Sequence, residues 1–210
     1  MPARRVVGVA IGLRPGGDVG RGAGREIIQH YLVLLTAAPD RAAIIAAMAE
    51  QRRPASLIIA VDEATRQIKK RSAIALDLNG IAKGYAVDRM VAVLQQFGIT
   101  AGLCGLDGEL RGFGLQPDGR PWRVAVERPD IGQRAAEAML ELHDASVATS
   151  GDYRHFLRLG GARLSHTINP RTGGPVQGAL ASVSVMAPTC MQADAWATVL
   201  LVLGEVAGPA

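Results

Sequence analysis

The segment 76–88, LDLNGIAKGYAVD, holds the most informative polar residues of the chain. It opens with a carboxylate, Asp77, that we expect to be buried, and it turns at Asn79 and Gly80. Lys83 and a second glycine then lead into a helix. Backbone N–H groups and the dipole at a helix N-terminus favour anions, so the segment predicts a phosphate-binding turn. The alternative is a turn that only closes a loop, and the glycine spacing matches neither the P-loop nor the dinucleotide fingerprint.

The helix after Lys83 is predicted from apolar residues at helical spacing, and Gly98 lies where a left-handed residue would end it. The apolar positions are Ala86, Met90, Val93, Leu94 and Phe97.

A second candidate centre lies near the C-terminus. Asp194 and Thr198 are four residues apart in a predicted helix, so both side chains emerge on one face. Carboxylate and hydroxyl oxygens are hard ligands that suit Mg²⁺. The alternatives are a solvated helix face or a hydrogen bond from the threonine to the helix backbone. The helix is apolar nearly all round, and a carboxylate in such surroundings is costly unless it is paired or bound to a metal.

Two loops add polar groups. Residues 148–153 place hydroxyls and a carboxylate, Asp152, around a glycine turn, and residues 165–173 carry His166 at a junction between a strand and a turn. The alternatives are that His166 is a core histidine whose ring nitrogens are hydrogen-bonded, and that Asn169-Pro170 is an ordinary turn. The other three histidines have no comparable setting.

Length and composition bound the class of protein. A chain of 210 residues is long enough for one domain with a core. The net charge of +4 comes from scattered arginines, which argues against a nucleic-acid partner. Two distant cysteines exclude a cysteine-rich zinc site. No membrane span and no secretory signal are visible, so the chain as written would stay in the cytoplasm.

The chain divides into an atypical segment, 1–38, and a globular part, 39–210. The first is rich in glycine and arginine and is typical of a disordered or linker-like segment. In the second, strands in series with flanking helices predict an α+β fold with a mostly antiparallel sheet. Helices are predicted over 42–51 and 191–203, the latter capped by Thr189. Strands are predicted over 56–61, 101–106, 109–115, 122–127, 146–149, 153–159, 162–168 and 181–187, with Asp107-Gly108 as a hairpin turn.

Four segments in this order and spacing resemble the FAD:protein FMN transferase family, also called ApbE. They are LDLNGIAKGYAVD, ATSGDYR, SHTINPRTG and ADAWAT. The resemblance covers about 39–204 and implies an ApbE-like α+β fold that lacks much of the family's N-terminal portion. Family members are typically periplasmic or attached to the inner membrane as lipoproteins.

The resemblance implies a reaction and a set of site residues. Family members use Mg²⁺ to transfer the FMN moiety of FAD to a threonine of a target flavoprotein, releasing AMP. The metal would take the backbone carbonyl of Gly80 and the side chains of Asp194 and Thr198. The flavin nucleotide would contact Asp77, Lys83 and His166, and the motifs around Glu109 and Asp152 would line the site. Either His166 or Asp77 could serve as the general base.

Two departures from the family pattern concern the site. Asp107-Gly108-Glu109 stands where the family usually has Gly-Gly-Asp/Glu, and Asn169 stands where aspartate is common, which removes a charge beside His166. Besides the transferase, two alternatives stay open: a non-catalytic flavin- or nucleotide-binding remnant, and hydrolysis of FAD to FMN and AMP.

Overall fold

The computed structural model describes residues 8–13, 55–72, 76–130, 134–154, 156–159 and 162–207. Three helices and eleven strands lie in these ranges. The helices are α1 (Ala55–Ile58), α2 (Ala82–Gln96) and α3 (Cys190–Ala207). The strands are β1 (Gly8–Leu13), β2 (Ile59–Asp62), β3 (Gln67–Lys70), β4 (Gly102–Leu106), β5 (Glu109–Phe113), β6 (Trp122–Glu127), β7 (Ala136–Leu142), β8 (Ala145–Gly151), β9 (Phe156–Leu159), β10 (Ala162–Ser165) and β11 (Leu180–Ala187).

The central sheet has five strands in the order β1-β11-β8-β5-β4, and every neighbouring pair is antiparallel. Three two-stranded hairpins, β2/β3, β6/β7 and β9/β10, complete the strands. Helix α3 packs along β8 and β11, and α2 packs against α3. This arrangement confirms the predicted α+β fold with a mostly antiparallel sheet and flanking helices.

The turn between β4 and β5 forms as predicted. Asp107 and Gly108 both have positive φ, 49° and 104°, which is the backbone of a type I′ hairpin turn. Glu109 follows directly as the first residue of β5, and it is buried. The turn therefore delivers a carboxylate from the sheet edge into the interior.

Alternation along the strands separates two cores. Val183 and Val185 of β11 pack with Ala197 and Leu201 of α3. On the other side of the sheet, Val147 of β8 packs with residues of the β6/β7 hairpin. Successive side chains in a strand point to opposite faces, so a residue of β8 faces either α3 or the hairpin according to its position.

Most of the predicted strands form, but some of them begin at other residues than predicted. The strand predicted over 56–61 begins at Ile59, because Ala55–Ile58 forms a helical turn, and the strand predicted over 153–159 begins at Phe156. Strand β7 was not predicted, since its sequence AEAMLEL is composed of helix formers and only its pairing with β6 makes it a strand. The helix predicted over 42–51 lies outside the described residues.

Helix α2 forms where it was predicted and ends at Phe97, followed by Gly98 with φ of 80°. Its buried residues are Gly84, Val87 and Val91. The apolar residues that predicted the helix lie mainly on its exposed side, with Phe97 80% exposed. The small residues Gly84, Val87 and Val91 let α2 approach α3 closely. The face of α2 that carries them is therefore buried, and the face with the larger apolar side chains is not.

Helix α3 begins as predicted, with Thr189 Oγ1 accepting a hydrogen bond from the N–H of Gln192 at 3.3 Å. It is interrupted at Gly204, whose φ is 79°. In the described ranges, no helix is long and apolar enough to cross a membrane.

Little structure was expected in the segment 1–38, but Gly8–Leu13 of this segment forms strand β1 and pairs with β11. The boundary at residue 39 stays a prediction.

Candidate functional site

The site forms where the N-terminal turn of α2 meets α3, and Gly84 sets the distance between the two helices. A Cβ atom at Gly84 would lie 2.4 Å from the carbonyl oxygen of Cys190 and 2.8 Å from the Cβ of Asp194. These distances are far inside van der Waals contact, so only glycine fits. The close approach lets the N–H of Gly84 donate a hydrogen bond of 2.9 Å to Oδ2 of Asp194.

Asp194 is the buried carboxylate of this junction. It is 3% exposed, as its apolar helix predicted. Its Oδ2 accepts the Gly84 hydrogen bond, whereas Oδ1 has no hydrogen-bond donor within the described part of the chain. Oδ1 is not among the fully buried side-chain oxygens that lack a partner, so it is open to water or to a cation.

Gly80 and Thr198 complete the junction. A Cβ atom at Gly80 would lie 3.5 Å from Oγ1 of Thr198, so the loop before α2 contacts α3 one turn beyond Asp194. Oγ1 of Thr198 lies 3.0 Å from Oγ of Ser150 in β8. The structure thus brings together the three residues that were predicted as metal ligands, although Gly80 lies more than a hundred positions before the other two.

An ion-pair cluster around Lys83 lies near Asp194 at the junction of α2 and α3. Nζ of Lys83 is 2.8 Å from Oε1 of Glu109 and 3.7 Å from Oδ2 of Asp107. Glu109 is 1% exposed, and its Oε2 is buried with no hydrogen-bond partner among the described residues. Asp194 acts electrostatically on both Lys83 and Glu109. Three carboxylates therefore act on one ammonium group, two of them through ion pairs, and the excess negative charge suits a cation.

The pKa shifts of the ion pair reflect its burial. Desolvation raises the pKa of Glu109, the hydrogen bond from Lys83 lowers it, and the charge of Asp194 raises it, with a net upward shift. Desolvation lowers the pKa of Lys83, but the hydrogen bond and charge of Glu109 outweigh it, so the net shift is upward. Lys83 is therefore charged at neutral pH and able to contact a phosphate.

Asp88 fixes the two helices to each other. Its Oδ1 and Oδ2 accept hydrogen bonds, both 2.9 Å, from the N–H groups of Cys190 and Met191, so it caps the N-terminus of α3. It also forms an ion pair with Arg111 of β5. This role was not predicted, since the capping residue lies about a hundred positions before the helix it caps.

The remaining predicted site residues lie outside this hydrogen-bonded cluster. Asp77 was expected to be buried, but it is exposed, and its Oδ1 accepts the N–H of Asn79 at 2.8 Å in a local turn. Asp152 is 2% exposed and lies 3.7 Å from Arg163. His166 is exposed, just after β10. These three positions keep their predicted roles as predictions.

The donor set of the junction fits a hard cation. Carboxylate, hydroxyl and backbone oxygens are the ligands that Mg²⁺ prefers. No three His, Cys, Asp or Glu side chains gather as metal ligands in the described ranges. The set predicted here has only one such side chain, Asp194, and takes its other donors from a hydroxyl and the backbone.

Residues 30–210 match the model of the ApbE family. The chain belongs to this family. Among curated proteins, it is similar to the FAD:protein FMN transferases of Vibrio cholerae, with 44% identity over 64% of this chain and 40% of the relative, and of Escherichia coli K12, with 42% identity over 61% and 37%. The corresponding protein of Klebsiella pneumoniae is 37% identical over 79% of this chain and 47% of its own length.

Solved ApbE structures agree with the fold. The flavinyl transferase ApbE of Pseudomonas stutzeri in its apo form has a TM-score of 0.67 and 37% identity, covering 82% of this chain and 52% of that structure. The flavin transferase ApbE of Vibrio cholerae has a TM-score of 0.68 and 36% identity, over 82% and 53%. The chain thus spans about half the length of these ApbE proteins.

Proposed function

We propose that this chain carries the cation-binding and phosphate-contacting part of a flavin transferase, which moves the FMN moiety of FAD to a threonine of a target flavoprotein and releases AMP. The observation that carries the proposal is the convergence of Gly80, Asp194 and Thr198 at the junction of α2 and α3. The names of its relatives, FAD:protein FMN transferase, supply the reaction.

Mg²⁺ is the proposed cation, held by the carbonyl of Gly80 and the side chains of Asp194 and Thr198. Bound there, it would neutralise pyrophosphate oxygens and stabilise the charge that develops on the leaving group. Two observations support this assignment. Oδ1 of Asp194 accepts no hydrogen bond from the described residues, and carboxylates outnumber the ammonium group around Lys83.

The chain's own residues position the reactants. Lys83 presents an ammonium group beside the junction, where it can contact the phosphates of FAD. In the transfer, the acceptor hydroxyl oxygen forms a bond to the FMN phosphorus, and the bond from that phosphorus to the bridging oxygen breaks. AMP leaves with this oxygen, and the acceptor's proton passes to a base. Transfer is then mainly a matter of alignment and charge neutralisation.

The base is proposed from the two sequence candidates, His166 and Asp77. Both side chains are exposed, so both can meet an incoming acceptor protein. Imidazole is the side chain that enzymes use most often as a general base. Separate His166→Ala and Asp77→Ala variants distinguish them, since loss of the base lowers turnover without abolishing FAD binding.

The test is covalent flavin transfer to a co-expressed flavoprotein, read by in-gel fluorescence, with FAD and Mg²⁺ as required components. Asp194→Ala is expected to abolish the fluorescence. Asp118→Ala is the matched control, because Asp118 is exposed and, among the described residues, pairs with Arg120 alone. Fluorescence that survives Asp194→Ala unchanged contradicts the proposed metal role. FAD binding without transfer indicates a binding remnant, and FMN and AMP released without an acceptor indicate hydrolysis.

A further inference from the structure

Ser150 lies on the face of β8 that meets α3. Its Oγ is 3.0 Å from Oγ1 of Thr198, and either atom could be the donor. In the strand register, Ser150 pairs with Val183 of β11, whose side chain packs with Ala197 of α3. Ser146 lies on the same face of β8, but its Oγ has no hydrogen-bond partner among the described residues. Ser150 is therefore the serine whose hydroxyl meets the hydroxyl that we propose as a metal ligand.

The neighbouring residue, Thr149, provides an internal comparison. Its Oγ1 lies 2.6 Å from Oγ of Ser184, the residue opposite it in β11. Because side chains alternate along a strand, this pair lies on the face of the sheet that is turned away from α3. Two adjacent hydroxyls in β8 thus make similar hydrogen bonds, and one of them reaches the proposed cation site.

The direction of the proton follows from the chemistry of a hydroxyl. A threonine hydroxyl has one proton and two lone pairs, and an oxygen that binds a cation must point its proton elsewhere. A threonine inside a helix usually donates to the carbonyl four residues earlier, here that of Asp194. In this structure the hydroxyl has a side-chain partner instead, Oγ of Ser150.

We infer that Ser150 is a positioning residue for the cation, which accepts the proton of the Thr198 hydroxyl and turns the lone pairs of that oxygen toward Gly80 and Asp194. The inference rests on the proposed metal role of Thr198. Ser150 itself does not touch the cation. A group that hydrogen-bonds to a metal ligand without contacting the metal fixes the orientation and the basicity of that ligand. Its loss weakens metal binding.

The experiment measures Mn²⁺ binding to the full chain without FAD, by electron paramagnetic resonance of the free ion. Ser150→Ala is expected to weaken Mn²⁺ binding by roughly 10- to 100-fold, the usual cost of losing such a partner. Ser150→Thr keeps a hydroxyl and should retain most of the affinity. Thr149→Val, which removes the hydroxyl on the other face, should leave the affinity unchanged.

Thermal unfolding in EDTA separates positioning from folding. Ser150→Ala and Thr149→Val each lose one hydrogen bond, so their melting temperatures without metal should fall by similar amounts. Wild-type affinity in Ser150→Ala overturns the inference, and so does equal weakening by Ser150→Ala and Thr149→Val. If the wild-type chain binds no Mn²⁺, the metal centre itself is wrong. If Asp194→Ala loses binding while Ser150→Ala keeps it, the metal centre stands and only the role of Ser150 fails.

Discussion

The backbone N–H of Gly84 donates a hydrogen bond of 2.9 Å to the buried carboxylate of Asp194, a residue 110 positions further along the chain. The bond needs the near contact of two helices, and that contact needs a residue without a Cβ atom at position 84. The position of the Asp194 carboxylate therefore depends on the packing of α2 against α3 as well as on the backbone of α3.

Gly84→Ala should destabilise the fold. Alanine favours a helix over glycine by roughly 1 kcal/mol. Against this, its Cβ would lie 2.4 Å from the carbonyl oxygen of Cys190, a backbone atom that cannot rotate away. Overpacking costs about 1–3 kcal/mol and occasionally more, so after the helix gain we expect a net loss of about 1–2 kcal/mol in urea unfolding. Gly80→Ala is the control, since its Cβ would make ordinary contacts at 3.5 Å. Equal stability of Gly84→Ala and wild type would contradict the packing described.

Asp88→Ala should cost more stability than loss of the local cap. The substitution removes two hydrogen bonds to the N-terminus of α3 and leaves Arg111, 23% exposed, without its carboxylate. Loss of the cap together with an uncompensated, partly buried charge predicts about 2–3 kcal/mol in chemical denaturation. Thr189→Ala, which removes one long hydrogen bond of 3.3 Å, should cost about 1 kcal/mol or less. The reverse order of the two effects would show that Asp88 does not cap α3.

Glu109→Gln should change how stability depends on pH. The pKa of Glu109 is raised above its usual 4.5, mainly by burial, so its contribution to stability is fully present below pH 4.5. The contribution is lost as the pH rises through the folded-state pKa. The stability of the wild type minus that of Glu109→Gln should therefore fall as the pH rises above 4.5, in urea unfolding at a series of pH values.

Glu127 provides the opposite case for the same measurement. Burial raises its pKa, but the hydrogen bond from Arg134 and the charge of Arg154 outweigh this, so the net shift is downward from 4.5. Its contribution to stability is present above pH 4.5 and is lost as the pH falls through the folded-state pKa. Parallel pH dependence of the differences for Glu109→Gln and Glu127→Gln would refute the assigned shifts.

The thiol of Cys190 should be inert in the folded protein. Burial, followed by the nearby charges of Asp88, Glu109 and Asp194, raises the pKa of Cys190 to about 12. The reactive thiolate is therefore scarce at pH 8. In a Cys104→Ser variant, which leaves one thiol, reaction with a disulfide reagent at pH 8 should require denaturant. Rapid modification of the native variant would indicate that the start of α3 is accessible.

The fold could be predicted from the sequence where local signals dominate. The turn at Asp107-Gly108, the strand Trp122–Glu127 and the start of the last helix at Thr189 depend on neighbouring residues, and each forms as expected. Strand β7 could not be predicted, since its composition favours a helix and only its partner β6 makes it a strand.

The meeting of Gly80, Asp194 and Thr198 was predicted from the sequence, but the contacts around these residues were not. Burial of Asp194 follows from the apolar sequence around it, and three of the four motifs, LDLNGIAKGYAVD, ATSGDYR and ADAWAT, contain the residues that meet at the junction. The capping by Asp88 and the hydrogen bond between Ser150 and Thr198 depend on contacts across the fold, for which a single sequence carries no local signal. The expected burial of Asp77 was wrong, because its carboxylate closes a local turn that faces solvent.

The connection between Gly80 and Thr198 also constrains when the site can exist. During synthesis the loop before α2 leaves the ribosome long before α3, and domains acquire their long-range contacts only when the later partner is available. The proposed cation site therefore cannot be present in a growing chain until the last helix has docked. Cation binding would then be a late event of maturation, reporting that the sheet and both helices have already assembled.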